Sequence, residues 1–152
     1  MRIEEAIRQS AFKSSYHKVL INLLYTSNVV KNRQIQVFKP YKLGGQHYNV
    51  LRILRGSHPK PKSAGDIKAV MLDKSPDLTR IIDKLEKAGL VDRQTCPGNR
   101  RKVDIRITDS GLALLEEIDP QIDALQATYQ NLTEEEAQTL SDLLDKLRGE
   151  GQ

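Results

Sequence analysis

A mainly α-helical fold with one small β-hairpin is predicted by three features of the 152-residue sequence. Apolar residues recur at helical spacing through most of the chain. One stretch, residues 90–107, instead alternates with a period of two around a Pro-Gly-Asn turn. Helix-start patterns stand at Ser63 with Asp66, at Ser75-Pro76-Asp77, and at Thr133 with Glu136.

Residues 2–38 contain neither Pro nor Gly, and Ile3, Ile7, Ala11, Tyr16, Leu20, Leu23, Ser27, Val30 and Gln34 recur near the helical period. This predicts one long helix or two joined ones. Their stripe is longer than so small a domain can cover, so part of it is expected to meet another subunit. Pro40-Tyr41-Lys42-Leu43-Gly44-Gly45 breaks the pattern. A second helix over 46–55, with Val50, Leu51 and Leu54 inward, is expected to end at Gly56. His58-Pro59-Lys60-Pro61-Lys62 reads as a basic, proline-stiffened loop.

Ser63 is expected to cap the next helix, with Asp66 reaching back and Ile67, Val70 and Met71 buried. The clearest start follows: Ser75 as the cap, Pro76 in the first helical position, and Asp77 complementing the helix dipole. That helix should run to Ala88 and stop at Gly89 in a left-handed conformation. Strands over 90–96 and 102–107 flank the turn Pro97-Gly98-Asn99, with Val103, Ile105 and Ile107 on one face and Arg100-Arg101-Lys102 at the tip. A helix over 108–118 is restarted or kinked at Pro120, and Ile118, Ile122, Leu125 and Tyr129 continue its stripe. The last helix begins at the Thr133–Glu136 capping box, with Ala137, Leu140, Leu144 and Leu147 on one face.

Charge is unevenly distributed. Residues 39–107 carry 16 basic against 7 acidic side chains, residues 108–152 carry 2 against 11, and the whole chain is +4. A basic middle beside an acidic end suits a polyanionic partner for the middle alone. No run of 18 apolar residues is present, so no membrane span is expected. The first residues lack a signal-peptide pattern, and a single cysteine, Cys96, excludes an internal disulfide framework and a cysteine-cluster zinc site. A cytoplasmic protein is expected.

Two short helices joined by a tight turn and followed by a basic-tipped hairpin form a winged helix-turn-helix. At roughly 100° per residue, Leu78, Ile81, Ile82 and Leu85 share the core face of the second helix. The opposite side presents Pro76, Arg80, Asp83 and Lys87, flanked by Thr79 and Lys84. Arg80 has the reach and fork geometry for guanine O6 and N7, and Thr79 for a thymine methyl or a phosphate. The residues expected to meet DNA are Ser75, Pro76, Asp77, Thr79, Arg80 and Lys84, with Asn99, Arg100 and Arg101 on the wing.

The run Gly89-Leu90-Val91-Asp92-Arg93, then Asn99-Arg100-Arg101, then Ile105-Arg106-Ile107-Thr108-Asp109-Ser110-Gly111 resembles the wing signature of the MarR family of transcriptional regulators. Residues 75–85 resemble that family's recognition helix, and the helix order extends the likeness over nearly the whole chain. One position departs: the family's wing-tip aspartate is Asn99 here, which keeps an acceptor and loses the charge. The resemblance implies a homodimer on a pseudo-palindromic operator in double-stranded DNA. It divides the chain into an N-terminal dimerisation segment (1–38), a DNA-binding lobe (39–111) and C-terminal dimerisation helices (112–152). It also implies a small anionic aromatic effector in a cleft that Tyr16, Tyr41, His47, Tyr48 and Arg52 would line.

Other chemistry is thinly supported. His17, His47 and His58 lack metal-ligand spacing, no metal or cofactor is expected, and neither a catalytic triad nor a phosphate-binding glycine loop is legible. Cys96 reads as an apolar strand residue rather than an oxidant sensor. The competing functions are a winged-helix module that binds an acidic protein, which predicts weak DNA binding even at low salt, and a histidine-dependent enzyme, which has no motif behind it. The leading expectation is a ligand-responsive repressor that is not an enzyme.

Overall fold

The computed structural model describes residues 1–74, 76–96 and 99–149, with side chains for all of these but residues 96 and 99–102. Among the described residues, seven α-helices and two strands follow in the order α1 (Ile3–Ala6), α2 (Ser15–Phe38), α3 (Gly45–Ser57), α4 (Ala64–Val70), α5 (Leu78–Lys87), β1 (Val91–Cys96), β2 (Asn99–Ile107), α6 (Asp109–Ala127) and α7 (Glu134–Arg148). The mainly helical architecture with one hairpin agrees with the sequence. The N-terminal region resolves into two helices, broken where Arg8 turns left-handed (φ 54°) and restarted where Ser14 Oγ accepts the His17 N–H at 3.2 Å. A 3₁₀ turn, Lys39–Tyr41, links α2 to α3.

Several local expectations are corrected. α3 continues through Gly56 to Ser57, because nothing at Gly56 demands the left-handed backbone that stops a helix. Val70 is exposed while Ile67 and Met71 are buried, since α4 ends at Val70 and has no further turn to carry that residue inward. α5 is capped by Asp77, whose carboxylate accepts the Thr79 N–H at 3.0 Å, so Pro76 precedes the helix instead of opening it. Aspartate is as good a cap as serine and adds a favourable charge at the dipole's positive end. α6 runs unbroken through Pro120, whose cost of about 3 kcal/mol is offset by the burial of Leu115, Ile118 and Ile122 on the same helix. β2 starts at Asn99, so the backbone of the Arg100-Arg101-Lys102 run belongs to a strand.

β1 and β2 pair antiparallel with Val91 opposite Ile107 and Arg93 opposite Ile105, and the register shifts between Thr95 and Cys96. A third short element joins them: Lys62 and Ile105 exchange both backbone hydrogen bonds, at 3.0 and 2.9 Å. The loop read as merely stiff thus completes the base of the wing. The main core unites Val50, Leu51 and Leu54 of α3, Ile67 of α4, and Leu78, Ile81, Ile82 and Leu85 of α5 with Val91, Ile105, Ile107 and Leu115. A smaller cluster of Phe38, Ile118 and Ile122 seats the end of α2 against α6.

The join between wing and α6 is close. The Thr108 hydroxyl donates to the Gly89 carbonyl at 2.7 Å and accepts the Gly111 N–H at 3.1 Å, and the Thr108 N–H donates to the Leu90 carbonyl at 3.1 Å. A Cβ on Gly111 would lie 2.3 Å from that Leu90 oxygen and 2.7 Å from Ile107 Cγ1. Gly56, by contrast, faces open space inside a helix. Gly111→Ala is therefore expected to lower stability by about 1–3 kcal/mol or more. Gly56→Ala should raise it by about 0.5–1 kcal/mol. Urea unfolding of the two variants beside the parent checks both signs.

Candidate nucleic-acid interface

Four apolar side chains, Leu78, Ile81, Ile82 and Leu85, lock the inner face of α5 into the core. The periodicity that buries them leaves Thr79, Arg80, Lys84 and Lys87 exposed on the outer side. Arg80 lies within the first turn of α5, one residue beyond the amide that Asp77 caps. Beside it an open groove separates Ala64, Gly65 and Lys68 of α4 from Pro76, Asp77 and Thr79 at the start of α5. The connection between the two helices is steadied from behind, where the Leu72 N–H donates to Asn49 Oδ1 of α3 at 3.1 Å. The expected cap role of Ser75 lies outside the described residues, as do the side chains of Asn99, Arg100 and Arg101, whose backbone is in β2.

Sequence reasoning missed a residue between these parts. Arg93 of β1 donates to Glu86 Oε2 of α5 through Nε at 2.9 Å and Nη2 at 2.5 Å, and also bonds Asp83 Oδ1. These hydrogen bonds, with the Arg93 charge, hold the Glu86 carboxyl below its ordinary range. Reciprocally, the bonds to Glu86 and then Asp83 push the Arg93 guanidinium further toward its charged form. Asp83, read from the sequence as part of the exposed face, is thereby tied to the wing. The overlooked signal was register. Arg93 shares the face of Val91 and Ile107, an inward position where a cation needs a partner.

The expected effector residues do not all assemble. Tyr41 and Tyr48 both pack on the Phe38–Ile118–Ile122 cluster. Arg52 Nη1 donates to the Tyr48 hydroxyl at 3.0 Å, and that hydroxyl donates to Asp119 Oδ1 of α6 at 2.9 Å. Arg55 completes the set with a 2.6 Å bond to Asp119 Oδ2. His47 is oriented differently: its Nδ1 accepts the Gly44 N–H at 3.1 Å, and burial, with the nearby Lys84 charge, lowers its pKa. Tyr16 stands exposed at the opposite end of α2 from Phe38, roughly 33 Å away at the α-helical rise. Within one chain, Tyr41, Tyr48 and Arg52 come together, while His47 and Tyr16 do not join them.

A family model described as the MarR family matches residues 46–103, which cover α3 through the wing. Over a longer span, a MarR transcription factor from Planctomyces limnophilus has 32% identity, with 88% of this chain and 98% of that one covered at a TM-score of 0.71. The chain belongs to the MarR family of transcriptional regulators. Its winged-helix fold recurs in S. aureus MepR, solved as a complex with DNA, at 22% identity and a TM-score of 0.74, with 90% of this chain and 97% of that one covered. The HTH-type transcriptional regulator PecS of Dickeya dadantii is 34% identical over 84 residues, which is 55% of this chain and 51% of PecS. The chain thus spans about half the length of this curated relative. Among the described residues, no helix of this MarR-family chain is long and apolar enough to cross a membrane, and no three metal-ligating side chains cluster.

The contact between α3 and α6 carries a pH signature. Burial raises the Asp119 pKa, but the hydrogen bonds from Arg55 and Tyr48 and the Arg55 and Arg52 charges outweigh it and leave the value below the ordinary one. A carboxylate depressed in the folded state stabilises above the unfolded pKa of about 4 and loses that contribution as pH falls through the lower folded value. Asp119→Asn should cost of order 1 kcal/mol at neutral pH and flatten the acid limb of stability. Unfolding midpoints measured across the acid range, for the variant and its parent, test this.

Proposed function

We propose that this MarR-family chain is a sequence-specific, double-stranded-DNA-binding transcriptional regulator that works as a homodimer on a pseudo-palindromic operator, as a ligand-responsive repressor. The observation that carries the reading is the outer face of α5. Thr79, Arg80 and Lys84 project into solvent from a helix whose other side is immobilised in the core. In this reading Arg80 contacts a base edge in the major groove, while Thr79, Lys84 and the preceding residues Ser75, Pro76 and Asp77 set its depth. Asn99, Arg100 and Arg101 carry the wing to phosphates or the minor groove. The similarly folded MepR was crystallised with DNA.

Assembly as a homodimer is supported by apolar surface that the single chain leaves uncovered. Val19, Leu20 and Leu24 of α2 are about half exposed, at 50%, 52% and 54%. On α7, Leu140, Leu143 and Leu147 are exposed and no residue is buried. Residues 1–38 and 112–152 then form the dimerisation region around a DNA-binding lobe of residues 39–111. The effector proposed is a small anionic aromatic molecule beside Tyr41, Tyr48 and Arg52, where a cation lies over an aromatic ring at 5.8 Å. A regulator of this kind has no catalytic step, and it acts in the cytoplasm where DNA is accessible.

Titration of fluorescent duplexes selected by the protein from genomic fragments tests DNA binding. Affinity should fall steeply with salt, each neutralised phosphate contributing about −0.9 to the slope of log K against log salt. Arg80→Ala should cost about 1–3 kcal/mol on the selected duplex and little on a scrambled one, whereas Arg101→Ala should weaken both and reduce the slope. An acidic-protein-binding module would bind both duplexes only weakly even at low salt.

Light scattering should return about twice the mass of one chain. Removal of residues 133–152 should shift the population toward monomer and weaken DNA binding by uncoupling the two half-sites. A monomer of the intact chain contradicts the assembly.

A further inference from the structure

We propose that Arg93 is a positioning residue for DNA binding: it braces the wing against the reading helix so that both reach the duplex in one fixed geometry. The inference rests on the DNA-binding reading above and adds a residue that touches no base or phosphate in it.

Its basis is the hairpin register. Arg93 stands opposite Ile105, so the two side chains share a face, and Ile105 is buried in the core. Val91, Ile105 and Ile107 make the base of that row apolar and buried, and Arg93 stands among them at the core margin and reaches α5. There the guanidinium fork meets two carboxylates one turn apart, Asp83 and Glu86, with three hydrogen bonds. Three donors in a planar fork resist rotation in a way that one ammonium does not.

The brace grips only the second half of α5. Thr79 and Arg80 in the first turn stay exposed, so the brace ties β1 to the part of the helix away from those two side chains. All three charged groups are partly exposed, with Arg93 at 29%, Asp83 at 43% and Glu86 at 38%. Ion pairs so placed add little to global stability. Their effect is angular: they decide where the wing strand lies relative to the helix axis, and hence whether two grooves can be engaged at once.

The test is a cycle of substitutions read on DNA affinity. Wild type, Arg93→Ala, Arg93→Lys, and each with Arg100, Arg101 and Lys102 changed to Ala, are titrated against the selected and scrambled duplexes. Arg93→Ala should weaken binding to the selected duplex roughly tenfold, with its melting transition still cooperative and close to wild type. In that background the wing-tip substitutions should cost far less than in wild type, because the unbraced tip no longer docks. Arg93→Lys should lie between. If Arg93→Ala does not fold, Asp83→Asn with Glu86→Gln removes the acceptors, leaves Arg93 in place, and should shrink the wing-tip cost in the same way. Equal wing-tip costs with and without the brace, or wing-tip substitutions that cost nothing in wild type, would overturn the brace and leave DNA binding by α5 standing. A wild type that binds no duplex at low salt overturns both readings.

Discussion

The seating of α6 on the turn between α5 and the wing is the constraint on which the rest of the molecule depends. Gly111 lets the first turn of α6 approach the Leu90 carbonyl more closely than any side chain would allow. Thr108 converts that approach into three hydrogen bonds, two of them with Gly89 and Leu90. Gly89 itself takes the left-handed conformation that ends α5 and starts β1. One small region therefore sets the exit of α5, the base of the wing and the direction of the long helix leading away from them. Leu115 then enters the main core and Ile118 the smaller one, so α6 passes the placement of the lobe on to α2.

The charge pattern acquires a finer meaning in the folded chain. The basic excess over residues 39–107 is not all available to a polyanion. Arg52 and Arg55 face Asp119, and Arg93 faces Asp83 and Glu86. These three arginines join elements: α3 to α6 in the first case, β1 to α5 in the second. The cations left exposed on α5, Arg80, Lys84 and Lys87, lie on its outer side, where the core leaves room for a partner. The polar cluster at Asp119 links the aromatic group around Tyr48 to the lobe that carries α5. In the proposed reading an anionic effector beside Arg52 would compete with that carboxylate and so act on the α3–α6 contact.

The terminal helices show the opposite economy. α2 is buried at Phe38, and its N-terminal half turns Val19, Leu20 and Leu24 outward. α7 has a well-formed capping box, with Thr133 Oγ1 accepting the Glu136 N–H at 3.2 Å and the Thr133 N–H donating to Glu136 at 2.8 Å, yet buries nothing. A helix with a leucine face and no buried residue is marginal in water by itself. In the proposed homodimer a second copy of the chain would cover that face.

Much of this was legible locally. The buried face of α5, the stop at Gly89, the caps at Ser63 and Thr133, and the alternation of Val103, Ile105 and Ile107 follow from period, turn chemistry and capping, which are properties of short segments. The residues of the proposed reading face follow too, because burying one side of a helix leaves the other exposed. What only the tertiary structure decided are relations between segments distant in sequence. Pro120 stays helical because buried neighbours on the same helix outweigh its local cost, and Lys62 becomes part of the wing because Ile105 supplies a strand edge. Tyr48, Arg52 and Arg55 converge because Asp119 arrives from α6, while His47, one residue away, bonds the Gly44 N–H instead. Arg93 looks like one more surface cation until pairing with Ile105 places it on the inner face beside Asp83 and Glu86. Periodicity states which side of an element is apolar; only packing states what each polar side chain meets.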